Sequence, residues 1–222
     1  DKFIFSSSAA VYGNPKTIPI PEDHPKNPIN PYGKSKLKVE EMLINFQKKK
    51  GLNFVSLRYF NAAGAALDAR MGENHAPETH IIPLAIKAAL TDSEFDLYGT
   101  DYNTPDGTCI RDYIHVIDLV EAHILALNKL QKERSLPAGR QGFFYNVGTG
   151  KGYSNKEVLN MVKKQSGIDF KVNIAGRRSG DPEVLVSDPK KIIKELGFNP
   201  QYSDLATIVK TAFDWHKSNL KF

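Results

Sequence analysis

Tyr32 and Lys36 stand four residues apart in Tyr32-Gly33-Lys34-Ser35-Lys36, a spacing that puts both side chains on one face of a helix, one turn apart. An ammonium beside a phenol favours the phenolate, so a tyrosine placed in this way can act as a general base near neutral pH. Upstream, Ser8 ends the stretch Phe3-Ile4-Phe5-Ser6-Ser7-Ser8, where a hydroxyl can hydrogen-bond to a reacting alcohol or shuttle its proton. The chemistry common to these groups is proton removal from a hydroxyl. A bare Tyr-x-x-x-Lys pair also occurs on ordinary helix surfaces, so the surrounding elements must support the reading.

Those elements are legible in outline. Lys2 to Phe5 reads as a buried strand ending in the serines. A turn-rich segment with Pro15, Pro19, Pro21, Pro25 and Pro28 follows. Asn30-Pro31 then supplies an N-cap and a first-turn proline, Val39, Met42, Leu43 and Phe46 recur at helical spacing, and Gly51 closes the element. The pattern predicts a helix from Pro31 to Lys50, with Lys48-Lys49-Lys50 at the negative end of its dipole. Phe54 to Tyr59 reads as a second strand, so strand, helix and strand suggest part of a parallel sheet. Further on, residues 61–80 read as a loop, Ile81 to Leu90 as a helix, Phe95 to Tyr98 as a strand and Asp101 to Arg111 as a polar loop. A helix is expected over His115 to Leu130, a polar insert over 131–142 and a strand over Phe143 to Val147. Ser154-Asn155-Lys156-Glu157 fits a capping box opening a helix to Gln165. A strand over Phe170 to Ile174, a short helix from Asp188-Pro189 to Gly197 and a last helix from Ser203-Asp204 complete the reading.

Composition narrows the class. The chain has 222 residues, 41% hydrophobic and 25% charged, the balance of a globular domain. Mean hydropathy is −0.39, and no apolar run is long enough for a membrane helix. The net charge of +5 is read as a lysine-rich solvated surface, because no nucleic-acid signature accompanies it. The single cysteine, Cys109, rules out an intramolecular disulfide framework and is expected to be an inert thiol. Asp1 leads directly into Phe3-Ile4-Phe5 without a secretory signal, and a cytoplasmic location is expected. Glu73, His75, Glu78 and His80 carry metal-ligating groups, but their spacing matches no familiar ligand pattern, and no metal is expected. His115 and His123 are read as helix positions satisfied locally.

Several segments in order carry a resemblance: Phe3 to Gly13, Pro31 to Lys36, Leu57 to Gly64, Asp106 to Val116, Tyr145 to Gly148 and Arg177 to Pro182. Together the chain resembles the extended short-chain dehydrogenase/reductase superfamily and, within it, the UDP-glucose 4-epimerases. The resemblance implies an α/β fold: the C-terminal part of a Rossmann-type doubly wound parallel sheet with a smaller mixed α/β substrate-binding domain. It places 1–60 in the NAD-binding domain and 61–222 mainly in the UDP-sugar domain, with 113–148 returning to the first. It implies an isomerase of galactose metabolism that interconverts UDP-glucose and UDP-galactose with NAD as cofactor, and a homodimer when full length, Pro31–Lys50 being one of the paired helices. Tyr32 is implied as the base, with Ser8 and Lys36 as its catalytic companions. Ser6, Tyr32, Lys36 and Tyr59 would contact NAD. Ser8, Asn61, His80, Ile81, Leu97, Tyr98, Arg111, Arg178 and Leu185 would contact the UDP-sugar. For Arg111 and Arg178 the alternative is an ion pair with Asp112 or Asp181.

Related 4,6-dehydratases carry acids in a Thr-Asp-Glu type triplet at the end of the first strand. Here Ser7-Ser8-Ala9 stands instead, which favours reversible oxidation over elimination of water. The resemblance places Leu185 where, in the family, a bulky aromatic closes the pocket to N-acetyl sugars, so N-acetylated UDP-sugars become candidates. The rivals are an epimerase or decarboxylase of the UDP-glucuronate type and a non-catalytic remnant without NAD. The Gly-x-x-Gly-x-x-Gly turn of the family is absent, and Gly148-Thr149-Gly150-Lys151-Gly152 lacks its spacing. The resemblance therefore implies that roughly a hundred residues of a Rossmann fold stand outside this sequence. It follows that the chain alone is expected to be poorly soluble and inactive.

Overall fold

The computed structural model describes residues 2–132 and 142–219; most of the expected insert lies outside the described residues. Along the chain run β1 (Lys2–Ser8), α1 (Pro31–Lys50), β2 (Asn53–Tyr59), β3 (Asn61–Ala63), α2 (Ile81–Thr91), β4 (Phe95–Tyr98), β5 (Ile110–His115), α3 (Val116–Lys132), β6 (Phe143–Val147), β7 (Gly152–Ser154), α4 (Asn155–Ser166), β8 (Val172–Ala175), β9 (Val184–Leu185), α5 (Lys190–Leu196) and α6 (Leu205–Asn219). A single 3-10 turn, Ala9–Val11, follows β1.

The first sheet is parallel, in the order β1-β2-β6, with Ser8 opposite Tyr59 and Tyr59 opposite Val147. Its central strand is nearly all buried, as expected of a parallel strand covered on both faces. Val55, Leu57, Phe143, Tyr145 and Val147 pack with α3 and with Ile192 and Phe198 at α5. Each such apolar side chain contributes about 1.5–3 kcal/mol on burial. The helix α1 has the predicted bounds. Asn30 caps it by accepting the Gly33 N–H at 2.8 Å, and Gly51 ends it at φ 69°.

A second core joins α2, α4 and α6 with β4, around Ile86, Val158, Ile208 and Phe213. The Ser154–Glu157 capping box is present. Between the two cores lies a small mixed sheet in which β5 pairs with β3, β7 and β9.

The structure corrects several expectations. Ile110–His115 is a strand, where the polar pattern predicts a loop and then a helix start, and α3 begins at Val116. Arg111 and Asp112 disguise this strand, because their burial depends on distant partners rather than on local pattern. The expected loop over 61–80 opens with β3, the short β7 and β9 are added, and β8 begins at Val172 rather than Phe170. Strands this short carry no readable period.

Candidate active site

Ser8 and Tyr59 stand side by side at the C-terminal ends of β1 and β2, the edge at which open parallel sheets take their ligands. Tyr32, in the first turn of α1, lines a cavity of about 240 Å³ together with Ser8, Tyr59, Phe60, Asn61, His80 and Ile81. Gly33 permits this approach. A Cβ there would lie 2.3 Å from the Ala10 carbonyl oxygen, so only glycine lets the helix start press against the turn after β1. The Ser8 Oγ accepts the Ala10 N–H at 3.1 Å, which fixes its oxygen at the cavity wall.

Behind Tyr32, the Lys36 ammonium donates to the Ser6 carbonyl at 3.0 Å and sits 5.4 Å from the Tyr32 ring centroid. The Tyr59 hydroxyl lies 2.7 Å from Ser6 Oγ and 2.5 Å from His123 Nε2. His123 Nδ1 in turn meets the Leu119 carbonyl at 2.8 Å. Burial pushes the Tyr59 phenol above its ordinary value; the bond with Ser6 works the other way, and Tyr32 adds to the rise. His123 is thus satisfied locally through one nitrogen only. The other reaches across to β2, a contact that sequence spacing does not show.

Ser8, Phe60 and Asn61 also line an adjoining cavity of about 200 Å³, with Arg111, Asp181 and Leu185. Arg111 donates to the Ile110 carbonyl at 2.9 Å and to Asp181 at 3.2 Å. Asp112 takes no part in that ion pair. Its carboxylate accepts the N–H groups of Thr149, Gly150 and Ser187 and the hydroxyls of Thr149 and Ser187, and burial raises its pKa despite these bonds. Within the glycine-rich segment 148–152, the Thr149 and Gly150 N–H groups are thus taken by a protein carboxylate. Asn61 donates to the Asp112 carbonyl at 2.9 Å.

Leu97, Tyr98 and Arg178 lie apart from Ser8 and Tyr32, in a third cavity that shares Ile81 with the first and Asp181 with the second. The Arg178 guanidinium sits 3.9 Å from the Tyr98 ring centroid, a cation–π arrangement. Ser6 and Lys36 line none of these three cavities and form the outer layer behind Tyr32 and Tyr59. Cys109 is buried. His115 belongs to β5 rather than to a helix. Among the described residues no helix is long and apolar enough to cross a membrane.

Residues to which the sequence motifs assign no role hold the site in place. Arg58, 2% exposed, donates to both oxygens of Glu40 on α1 at 2.9 and 2.8 Å, and Ser7 and Ser56 donate to the same carboxylate. Burial works against the Arg58 charge, but the Glu40 bonds outweigh it and raise its pKa. This cluster bolts α1 to β1 and β2, and with it Tyr32 and Lys36.

A family model described as GDP-mannose 4,6 dehydratase matches residues 1–211. A UDP-glucose 4-epimerase from Lactobacillus helveticus is 47% identical over 219 residues, which is 98% of this chain and 64% of that protein. The structure of a UDP-glucose 4-epimerase from Bifidobacterium longum, in complex with NAD+ and UDP, superposes with a TM-score of 0.90 at 37% identity, over 98% of this chain and 64% of the other. A UDP-Glc/GlcNAc 4-epimerase from Campylobacter jejuni superposes with a TM-score of 0.77 at 45% identity, over 98% and 65%. The chain thus spans just under two thirds of the length of these relatives.

Proposed function

Because this chain belongs to the GDP-mannose 4,6-dehydratase family of extended short-chain dehydrogenase/reductases, we propose that it forms the base-bearing and sugar-binding part of a UDP-glucose 4-epimerase. The observation that carries the reading is the shared cavity of Ser8, Tyr32 and Asn61 at the ends of β1 and β2. The end of β1 bears Ser7-Ser8-Ala9 and no acid, which favours reversible oxidation of an alcohol over the dehydration that the family model's description implies. The identity with the L. helveticus enzyme supports the same choice.

The polar groups at this edge suit a dinucleotide: the Lys36 ammonium for a ribose, and the Ser6 and Tyr59 hydroxyls for the nicotinamide end. Reversible acceptance of a hydride from sugar C4 is the chemistry that NAD would supply at this edge. The chain's own residues handle the proton and the orientation. The Tyr32 oxygen takes the proton from the C4 hydroxyl and gives it back after the sugar has turned. The Ser8 hydroxyl hydrogen-bonds to the same oxygen. Arg111 and Arg178 hold the diphosphate end, for which a guanidinium fork is suited, and Asn61, His80, Ile81, Leu97, Tyr98 and Leu185 bound the sugar nucleotide. We assign 1–60 with 113–148 to the NAD side and the rest of 61–222 to the sugar side. Packing of α5 against the first core extends the former. Exposed Met42 and Phe46 on α1 support pairing of that helix in a homodimer, and a cytoplasmic setting accords with the lone thiol.

The decisive experiment is Tyr32→Phe in the intact protein, assayed for conversion of UDP-galactose to UDP-glucose. Loss of general base catalysis is expected to lower kcat by about 10²–10⁴ with an unchanged circular dichroism spectrum. Undiminished turnover overturns the assignment.

One observation favours a broader substrate range. Leu185 faces the cavity shared by Ser8, Asn61 and Arg111, and the similar C. jejuni enzyme is a UDP-Glc/GlcNAc 4-epimerase. Leu185→Tyr is expected to abolish turnover of UDP-N-acetylglucosamine while sparing UDP-galactose. Parallel effects on both sugars would refute the role.

A further inference from the structure

Four metal-ligating side chains that look scattered along residues 73–80 meet in space. One nitrogen or oxygen from each of Glu73, His75, Glu78 and His80 lies within 4.8 Å of all the others. His80 Nδ1 is 2.5 Å from Glu73 Oε1 and 3.6 Å from Glu78 Oε1. His75 Nδ1 is 3.3 Å from Glu73, and its Nε2 is 3.4 Å from Glu78. Tetrahedral zinc bound at 2.0–2.1 Å requires neighbouring ligand atoms about 3.3–3.4 Å apart. His75 can offer only one of its two nitrogens to an ion, and the four ligand atoms lie within 4.8 Å of one another, so side-chain rotations are needed to bring all four to that spacing.

We infer that Glu73, His75, Glu78 and His80 form a binding site for one divalent ion of the Zn2+ class.

Charge supports this occupant. Two carboxylates with two neutral imidazoles carry −2, which a single dication cancels. Donor type supports it too. Mixed imidazole and carboxylate ligands suit zinc, whereas magnesium and calcium prefer oxygen throughout. With all four positions supplied by protein the site is structural rather than catalytic.

Its place in the fold gives it a use. Glu73 and His80 line the Ser8–Tyr32 cavity. Glu78 also accepts the N–H groups of Thr79 and His80 at 2.6 and 2.8 Å, at the start of α2. An ion here clips the segment before α2 into one shape and so fixes one wall of the cavity. His80 bound through Nδ1 would keep its proton on Nε2 and could then only donate.

The test reads metal uptake without turnover, so its outcome is independent of the epimerase reading. The intact protein is stripped with a chelator and titrated with Zn2+ against a chromophoric competitor, then loaded with Co2+ for its visible spectrum. The expected results are about one equivalent of Zn2+ bound, tetrahedral Co2+ bands and a raised Tm. His75→Ala and Glu78→Gln should each weaken binding roughly tenfold or more. Absence of uptake overturns the inference, and so does uptake unchanged by His75→Ala, which would place the ion elsewhere. Should a variant fail to fold, the Co2+ spectrum of the unmodified protein decides: octahedral bands, or none, are the negative result.

Discussion

His115 illustrates how one residue can make stability depend on pH. Its Nδ1 accepts the Ile117 N–H at 3.1 Å, so its Nε2 carries the proton and meets Thr211 Oγ1 at 3.0 Å. Burial lowers its pKa below the ordinary 6.5, against the opposing pull of Asp118 and Asp204. The folded state therefore binds fewer protons than the unfolded state just below pH 6.5. Stability contributed by the neutral ring is present above that value and is lost as pH falls from 6.5 toward the lowered folded value. Urea unfolding at pH 7.5 and 5.5 should show lower stability at the acid value. His115→Gln should reduce this difference even if it destabilises the protein at both. An undiminished difference in the variant would show that other groups set the slope.

At the scale of elements, the junction of α1 with β1 and β2 decides whether Tyr32 reaches the cavity. Glu40 and Arg58 are each 2% exposed and joined as a fork, so removing one partner strands a charge. Glu40→Ala leaves the Arg58 guanidinium buried without its carboxylate and is expected to cost about 3–5 kcal/mol, measured by urea denaturation. A loss below about 1 kcal/mol would mean that the pair behaves as an exposed one. The same junction explains Gly33, since a larger residue would push the helix start from Ala10.

At the scale of the whole molecule, the first sheet ends in an edge strand, β1. β1 pairs only with β2 among the described residues, and Phe3 on that strand is exposed. Val120, Ile124 and Leu127 form an exposed row along α3, at helical spacing. An open strand edge and an apolar helix row both promote association. The 222-residue chain by itself is expected to sediment with a mass that rises with concentration. A single monomeric species across the concentration range would contradict this.

What the sequence alone determined was local. The bounds of α1 follow from Asn30-Pro31 and Gly51, and those of β4 and β6 from short apolar runs between turn residues, because caps and turns are specified by neighbours along the chain. The Tyr32–Lys36 spacing with Ser8 upstream was legible for the same reason, as was the order of segments that carries the family resemblance. Only the tertiary structure decided which groups meet at a distance: His123 with Tyr59, Arg58 with Glu40, Asp112 with the N–H groups of 149–150 and 187, and the two histidines and two glutamates beside the cavity. β5 belongs with these, since a strand holding Arg111 and Asp112 forms only once far residues satisfy their charges. Burial of polar groups is bought by partners remote in sequence, and no local pattern records who those partners are.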